Sequence, residues 1–270
     1  GRKDYHNFLL SMKKLEQETG YSIAGLIAGE IGSEVNALWT AHHLGLPLID
    51  TDMVGGRAVP EDTMDIHNIY EINPFPITIS DNLQNTFIIK KGKSPEEVER
   101  LCRNIAIDSG GYAYIAGRVV TREIVSKIFP LGTISRSLKA GRILNETADF
   151  NELGYKLQPF HAKLMIDGKV VSVTQNCDSG FLEGTTKILS SEGEKYEIYF
   201  KNENIFLWKD GKMLSSVPDL ISLIASETLI PVANCDLCEG LEVCIIVTEA
   251  LPIWKSPEAT KLLQPSIFGV

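Results

Sequence analysis

The stretch that decides the fold is SIAGLIAGEIGSEVNALWTAHHLGLPLIDTD, residues 22–52. SIAGLIAG (22–29) is short and apolar, as a strand buried on both faces should be. Ser33 then stands at the N-cap position of a helix running through AHHLG, and Gly45 closes that helix. LPLID (46–50) reads as a second buried strand. Strand, helix and strand in about thirty residues is the βαβ unit of a parallel sheet.

Upstream, Tyr5, Phe8, Leu9, Met12 and Leu15 recur at intervals of three and four over residues 3–19, with Gly20 as a stop. That spacing predicts an amphipathic helix. Downstream, ITIS (77–80) and TFIIK (86–90) have the composition of strands. In SPEE (94–97), Ser94 is a cap, Pro95 fits the first turn and Glu97 completes a capping box. The helix it starts is expected to reach Asp108 and stop at Gly110-Gly111. AYIAGRVV (113–120) predicts another strand, and residues 121–129 and 133–146 two helices around Pro130 and Gly132.

The texture changes near residue 150. KLMIDGKVVSV (163–173) carries an Asp-Gly pair between strand formers, which predicts a hairpin. YEIYFKNENIFLWKDGKML (196–214) repeats the pattern with Asn-Glu-Asn and Asp-Gly turns. VPDLISLIAS (217–226) reads as a short helix, and LEVCIIVT (241–248) as a core strand. The expected architecture is therefore an α/β domain over 1–150, with a mainly parallel or mixed sheet. A mostly antiparallel β domain follows over 151–270.

Composition narrows the function classes. The chain has 270 residues, enough for two modest cores. Its 35 acidic residues outnumber 26 basic ones, for a net charge of -9. Such a surface repels phosphate backbones, so nucleic acid is not an expected partner. No apolar run reaches the length of a membrane span. GRKDYHNF has no apolar segment of the kind a signal peptide needs. Five cysteines, odd in number and irregularly spaced, do not suggest a disulfide framework. A reducing cytoplasm is the expected compartment.

The candidate chemistry lies in GLPLIDTDMVGGRAVPE (45–61). Open α/β sheets bind ligands beyond the carboxyl ends of their strands. Glu30 follows the first strand, and Asp50 and Asp52 end the second. If the strands are parallel neighbours, these carboxylates share one edge, and the Gly55-Gly56 loop returns Arg57 and Glu61 to it. Clustered carboxylates raise one another's pKa unless a cation or metal intervenes, which suits one of them to acid or base work. Arg57 is the candidate cation, or a clamp for an anionic or imide-like group. Asn36, in the helix after Glu30, is a further candidate at this edge. Thr133 and Ser135 open a helix whose N–H groups suit an anion or a polarised carbonyl. The structural alternative is a set of loop carboxylates that cap helices and pair with Arg57.

Other motifs carry less. Cys235 and Cys238 form a C-x-x-C, with Cys244 following, but the second pair of a structural zinc site is missing, so buried ordinary thiols are expected. His42 and His43 read as surface or packing residues. There is no P-loop, no G-x-G-x-x-G and no G-x-S-x-G, so no nucleotide cofactor is indicated. Whether the carboxylates hold a divalent metal stays open.

EIGSEVNAL (30–38), GLPLIDTDMVGGRAVPE (45–61), GTISRSLKAGR (132–142) and VPDLISLIASET (217–228) occur in that order, and LQPSIFGV ends the chain. In this the chain resembles the S-methyl thiohydantoin desulfurase family, whose members often accompany hydantoinase and oxoprolinase proteins. The resemblance spans nearly the whole chain. It implies an α/β part followed by a β-rich part, and a further glycine-rich segment upstream of Gly1. It also implies hydrolysis at a ring carbon flanked by nitrogen and sulfur, with release of a methanethiol-type product. On that basis Asp50, Asp52, Glu61 or Glu30 would activate water. Arg57, Asn36, Gly56 and Thr133 would hold the ring. The alternative is a non-catalytic accessory subunit of a hydantoinase or oxoprolinase. A homo-oligomer is also open.

Overall fold

The computed structural model describes residues 6–61, 63–177 and 181–269. The chain divides into two compact units, residues 1–134 and 135–270. The first contains α1 (His6–Thr19), β1 (Leu26–Ala28), α2 (Glu34–Leu44), β2 (Leu48–Asp52) and α3 (Ile66–Ile69). Next come β3 (Ile77–Asp81), β4 (Thr86–Ile89), α4 (Pro95–Asp108), β5 (Ala113–Ala116) and α5 (Arg122–Ile128). The start of α6 (Thr133–Glu146) also falls in this unit. Tyr5, expected in the first helix, lies outside the described residues.

β1 and β2 pair in parallel, with Leu26 opposite Leu48 and Ala28 opposite Asp52. The βαβ expectation therefore holds, but its strands are displaced. β1 is only three residues long, and β2 runs on through Asp52. Gly45 ends α2 in the left-handed region at φ 66°, which a Cβ would disfavour. Ser33 makes no cap bond to α2. Its hydroxyl instead accepts from Glu30 N at 3.0 Å and donates to Glu30 O at 2.8 Å, closing the turn that carries Glu30.

The second sheet of this unit is antiparallel, in the order β4-β3-β5. Every residue of β3 is buried, because the strand is covered on both faces. Ile77 and Ile79 form a cluster with Cys102 of α4. Thr78, on the opposite face, donates to Ser11 O of α1 at 2.8 Å. The Ser94 cap and the Gly110-Gly111 stop of α4 are as the sequence predicts. β5 is shorter than expected. A side chain at Gly117 would meet the Ile77 backbone at 3.2 Å, and Arg118 adopts a left-handed φ of 54°.

The second unit contains α7 (Phe150–Leu157), β6 (Ala162–Asn176), β7 (Glu183–Ser190), β8 (Lys195–Lys201) and β9 (Glu203–Lys209). β10 (Lys212–Ser216), β11 (Leu220–Ala225) and β12 (Glu242–Thr248) complete its sheet. The seven strands are antiparallel, in the order β10-β9-β8-β7-β6-β12-β11. The sheet curls into a half-barrel, and the Asn204 side-chain amide reaches across from β9 to Ile221 O of β11 at 2.9 Å. β12 shows why both faces are apolar. Val243, Ile245 and Val247 enter the cluster inside the curl, while Cys244 and Ile246 pack with Leu153 and Leu157 of α7.

Two sequence expectations fail here. Asp167-Gly168 is not a turn. It lies inside the fifteen-residue β6, with Asp167 opposite Cys244 of β12 and Gly168 opposite Ser190 of β7. Partners on both sides hold the pair extended, and the missing Cβ lets Leu189 O approach to 2.9 Å of where it would stand. VPDLISLIAS is not helical either. Leu220–Ala225 is the edge strand β11, paired along its length with β12. Its apolar run fits either period, and the neighbouring ladder decides it. The Asn-Glu-Asn and second Asp-Gly turns are as expected, with Asn202 and Asp210 left-handed. Among the described residues no helix is long and apolar enough to cross a membrane.

Candidate functional site

The parallel pairing brings the carboxyl ends of β1 and β2 together, and backbone bonds knit the loops that follow. Met53 N donates to Ala28 O at 2.9 Å and Ile31 N to Arg57 O at 3.1 Å. Glu30, half-buried, accepts from Val59 N at 3.1 Å. Glu30 and the 53–59 loop are thereby held at one edge.

Asp52 is fully buried. Its carboxylate accepts from Val54 N at 2.9 Å and from Gly56 N at 2.8 Å. Gly55 and Gly56 both have positive φ, which lets the chain double back so quickly. Burial raises the Asp52 pKa. The Thr133 hydroxyl and the N–H groups of Val54, Gly56 and Gly55 act in the opposite direction, by stabilising the carboxylate.

Thr133 belongs to a turn fastened along β2. Thr51 Oγ1 donates to Pro130 O at 2.8 Å, and Gly132 N donates to Asp50 O at 2.7 Å. Thr133 then meets Asp52. The Asp50 side chain is exposed and, by strand alternation, shares a face with Asp52. Arg57 is buried, and its Nε donates to Ala58 O at 2.8 Å. Glu61 is half-buried, and its carbonyl accepts from Met64 N at 3.0 Å. Asn36 sits half-buried in the first turn of α2, and its carbonyl accepts from the Thr40 hydroxyl. The structure thus gathers Glu30, Asp52, Gly56, Arg57 and Thr133 through bonded loops, with Asp50 as the exposed carboxylate of the strand.

Sequence reasoning missed a charged group further along the same loop. Asp65 caps α3 by accepting from Asn68 N at 2.8 Å, and it pairs with Arg118 Nε at 2.7 Å. His67 is buried beside them, edge-to-face with Phe129. Burial, and then the nearby Arg118 charge, lower its pKa to about 4. Asp65, three residues before Asn68, could have been read as a cap. Its pairing with Arg118 depends on tertiary approach and left no local signal.

The expectation of buried ordinary thiols holds for Cys244 but fails for the C-x-x-C, because Cys235 and Cys238 are exposed; all three are free. Among the described residues no three His, Cys, Asp or Glu side chains gather as metal ligands do. His42 and His43 are both exposed, and His43 stacks on Trp39.

In comparison with known proteins, the chain is similar in fold to a crystal structure of a protein from Chromobacterium violaceum, with a TM-score of 0.79 and 22% identity. That similarity covers 98% of this chain and 76% of the other. No curated protein matches it. Residues 3–91 match the S-Me-THD-like N-terminal domain model and residues 93–270 the S-Me-THD-like C-terminal domain model. Taken together, the two matches run almost end to end, and the chain belongs to the S-Me-THD-like family.

Proposed function

We propose that this protein hydrolyses an S-methyl thiohydantoin or a closely related ring at the carboxyl edge of β1 and β2. One observation carries the reading: of a parallel strand pair, β1 leads into Glu30 two residues past its end and β2 ends in Asp52, with the exposed Asp50 also on β2. The match to the S-Me-THD-like family supports this choice of substrate class.

Water attacks the ring carbon between nitrogen and sulfur, forming a C–O bond. Asp50, the accessible carboxylate, takes the proton. The tetrahedral intermediate collapses with cleavage of the C–S bond, and methanethiolate leaves with that proton as methanethiol. The remaining hydroxyl proton passes to the ring nitrogen, so the C=N bond that water opened ends as an N–H and a new ring carbonyl. Arg57 balances charge that develops on the ring nitrogen. Asp52 is a positioning residue, since its oxygens hold the 53–57 loop. Glu30 does the same for Val59, and Thr133 acts through Asp52. A reducing cytoplasm suits the free cysteines.

The test is methanethiol release from S-methyl thiohydantoins by the purified chain, followed with a thiol reagent. Asp50→Asn is expected to lower kcat by about a hundredfold or more. Undiminished turnover by that variant removes Asp50 as base, and no release by the unmodified chain overturns the function.

A second reading is an accessory subunit of a hydantoinase or oxoprolinase. It is favoured by Glu30 and Asp52 accepting backbone N–H groups of their own loop, as structural carboxylates do. Co-elution with such a partner, without thiol release by either alone, would support it.

A further inference from the structure

A cavity of about 180 Å3 opens in the first unit between the 74–77 segment, the start of α4 and β5. It plays no part in the chemistry proposed above. Its floor is apolar: Phe75, Ile77, Val98, Cys102 and Ile115 line it. A dry pocket of about 150 Å3 is enough for a benzene molecule, so this volume admits a six-membered ring or a branched aliphatic chain with one small substituent. Gly92 forms part of the wall. A Cβ there would stand 2.1 Å from Val98 Cγ2 and 3.1 Å from Phe75 Cζ, so only glycine lets the loop close against α4.

The polar groups of the wall sort by charge. Glu99 is neutralised by Arg103, whose Nε donates to it at 2.8 Å. Arg118 is balanced by Asp65 at 2.7 Å. Asn68 Nδ2 donates to Thr63 O at 2.7 Å. Lys93 also lines the cavity and makes no hydrogen bond or ion pair with any described residue. Among the described residues, the Lys93 ammonium is therefore the one charge of the wall without a hydrogen-bond or ion-pair partner, beside an apolar floor.

We propose that this cavity binds a small organic carboxylate, its ring or branched chain on the Ile77–Val98–Ile115 floor and its carboxylate at Lys93. Both features are needed. A bare inorganic anion would leave the floor empty, and a neutral apolar molecule would gain nothing from the ammonium. The proposal is independent of the ring hydrolysis above.

The experiment uses the whole chain with labelled isoleucine and valine methyl groups, titrated with benzoate and, in parallel, with its neutral isostere benzamide. Benzoate is expected to move the methyl signals of Ile77, Val98 and Ile115 and to leave Ile198 and Ile245 of the second unit in place. Benzamide should bind about threefold to fivefold more weakly, the range of an exposed ion pair. Lys93→Gln, at an exposed position, should erase that difference. Ile115→Trp, whose larger ring takes up the space above the floor, should abolish the Ile77 and Val98 shifts with either ligand. Unmoved floor methyls, or equal affinity for benzoate and benzamide in the unmodified chain, would overturn the assignment.

Discussion

The carboxylate of Asp52 receives the N–H of Gly56 at 2.8 Å, so the chain leaves β2 and turns back on it within four residues. Because burial raises this carboxyl above its ordinary 3.8, the folded protein keeps the proton to higher pH than the unfolded chain does. Its favourable contribution is complete below the unfolded pKa and is lost as pH rises through the folded one. Asp52→Asn should therefore flatten stability against pH from about 4 upward, read from urea midpoints. Asp52→Ala should cost about 1–3 kcal/mol, because it strands the Val54 and Gly56 donors. An unchanged pH slope in the Asn variant would show that another group titrates.

His67 titrates with the opposite sign. Its folded pKa, about 4, lies below the ordinary 6.5, so the folded state resists protonation. Its contribution is complete above 6.5 and is lost as pH falls from there toward 4. The loss by pH 5 should be about 2 kcal/mol. His67→Phe keeps the ring beside Phe129 and should remove this part of the acid sensitivity. Equal acid sensitivity in both proteins would rule His67 out.

Arg118 and Asp65 form a pair in which only the guanidinium reaches solvent. Removing Arg118 leaves a buried carboxylate whose other oxygen caps α3. Arg118→Ala should cost about 3 kcal/mol, with Arg118→Lys recovering part of it. The double variant Asp65→Asn, Arg118→Ala should be less damaged than Arg118→Ala alone. Purely additive losses would argue against a coupled pair.

Gly184 in β7 packs against β6 so closely that a Cβ would lie 2.0 Å from Thr174 O. That atom is backbone and cannot swing away. Gly184→Ala should destabilise the second unit by about 2 kcal/mol or more, whereas Gly141→Ala, where a Cβ meets nothing, should be neutral or stabilising. Thermal melts of the two variants distinguish them, and a harmless Gly184→Ala would refute the close strand approach.

Much of the fold was legible because its signals are local. The Ser94 cap, the Gly110-Gly111 stop and the continuous apolar run of LEVCIIVT act within a few residues of themselves. β11 and the Asp-Gly of β6 were misread for the complementary reason. Their local preferences are ambiguous, and hydrogen bonds to β12 and β7, remote in sequence, resolve them. At the candidate site, the clustering of Glu30, Asp52 and Arg57 follows from strands that could be read. Which way each carboxylate turns could not be read, because backbone N–H groups of the loop compete for it.

Composition, periodicity and turn residues by themselves determined the βαβ start, the antiparallel character of the later chain, and the acidic edge. Only the tertiary structure decided that Asp52 is buried and bound to its own loop while Asp50 stays in solvent. It also decided that Asp65 meets Arg118. Desolvation and long-range pairing depend on what lies across space from a residue, and neighbours along the chain do not encode that.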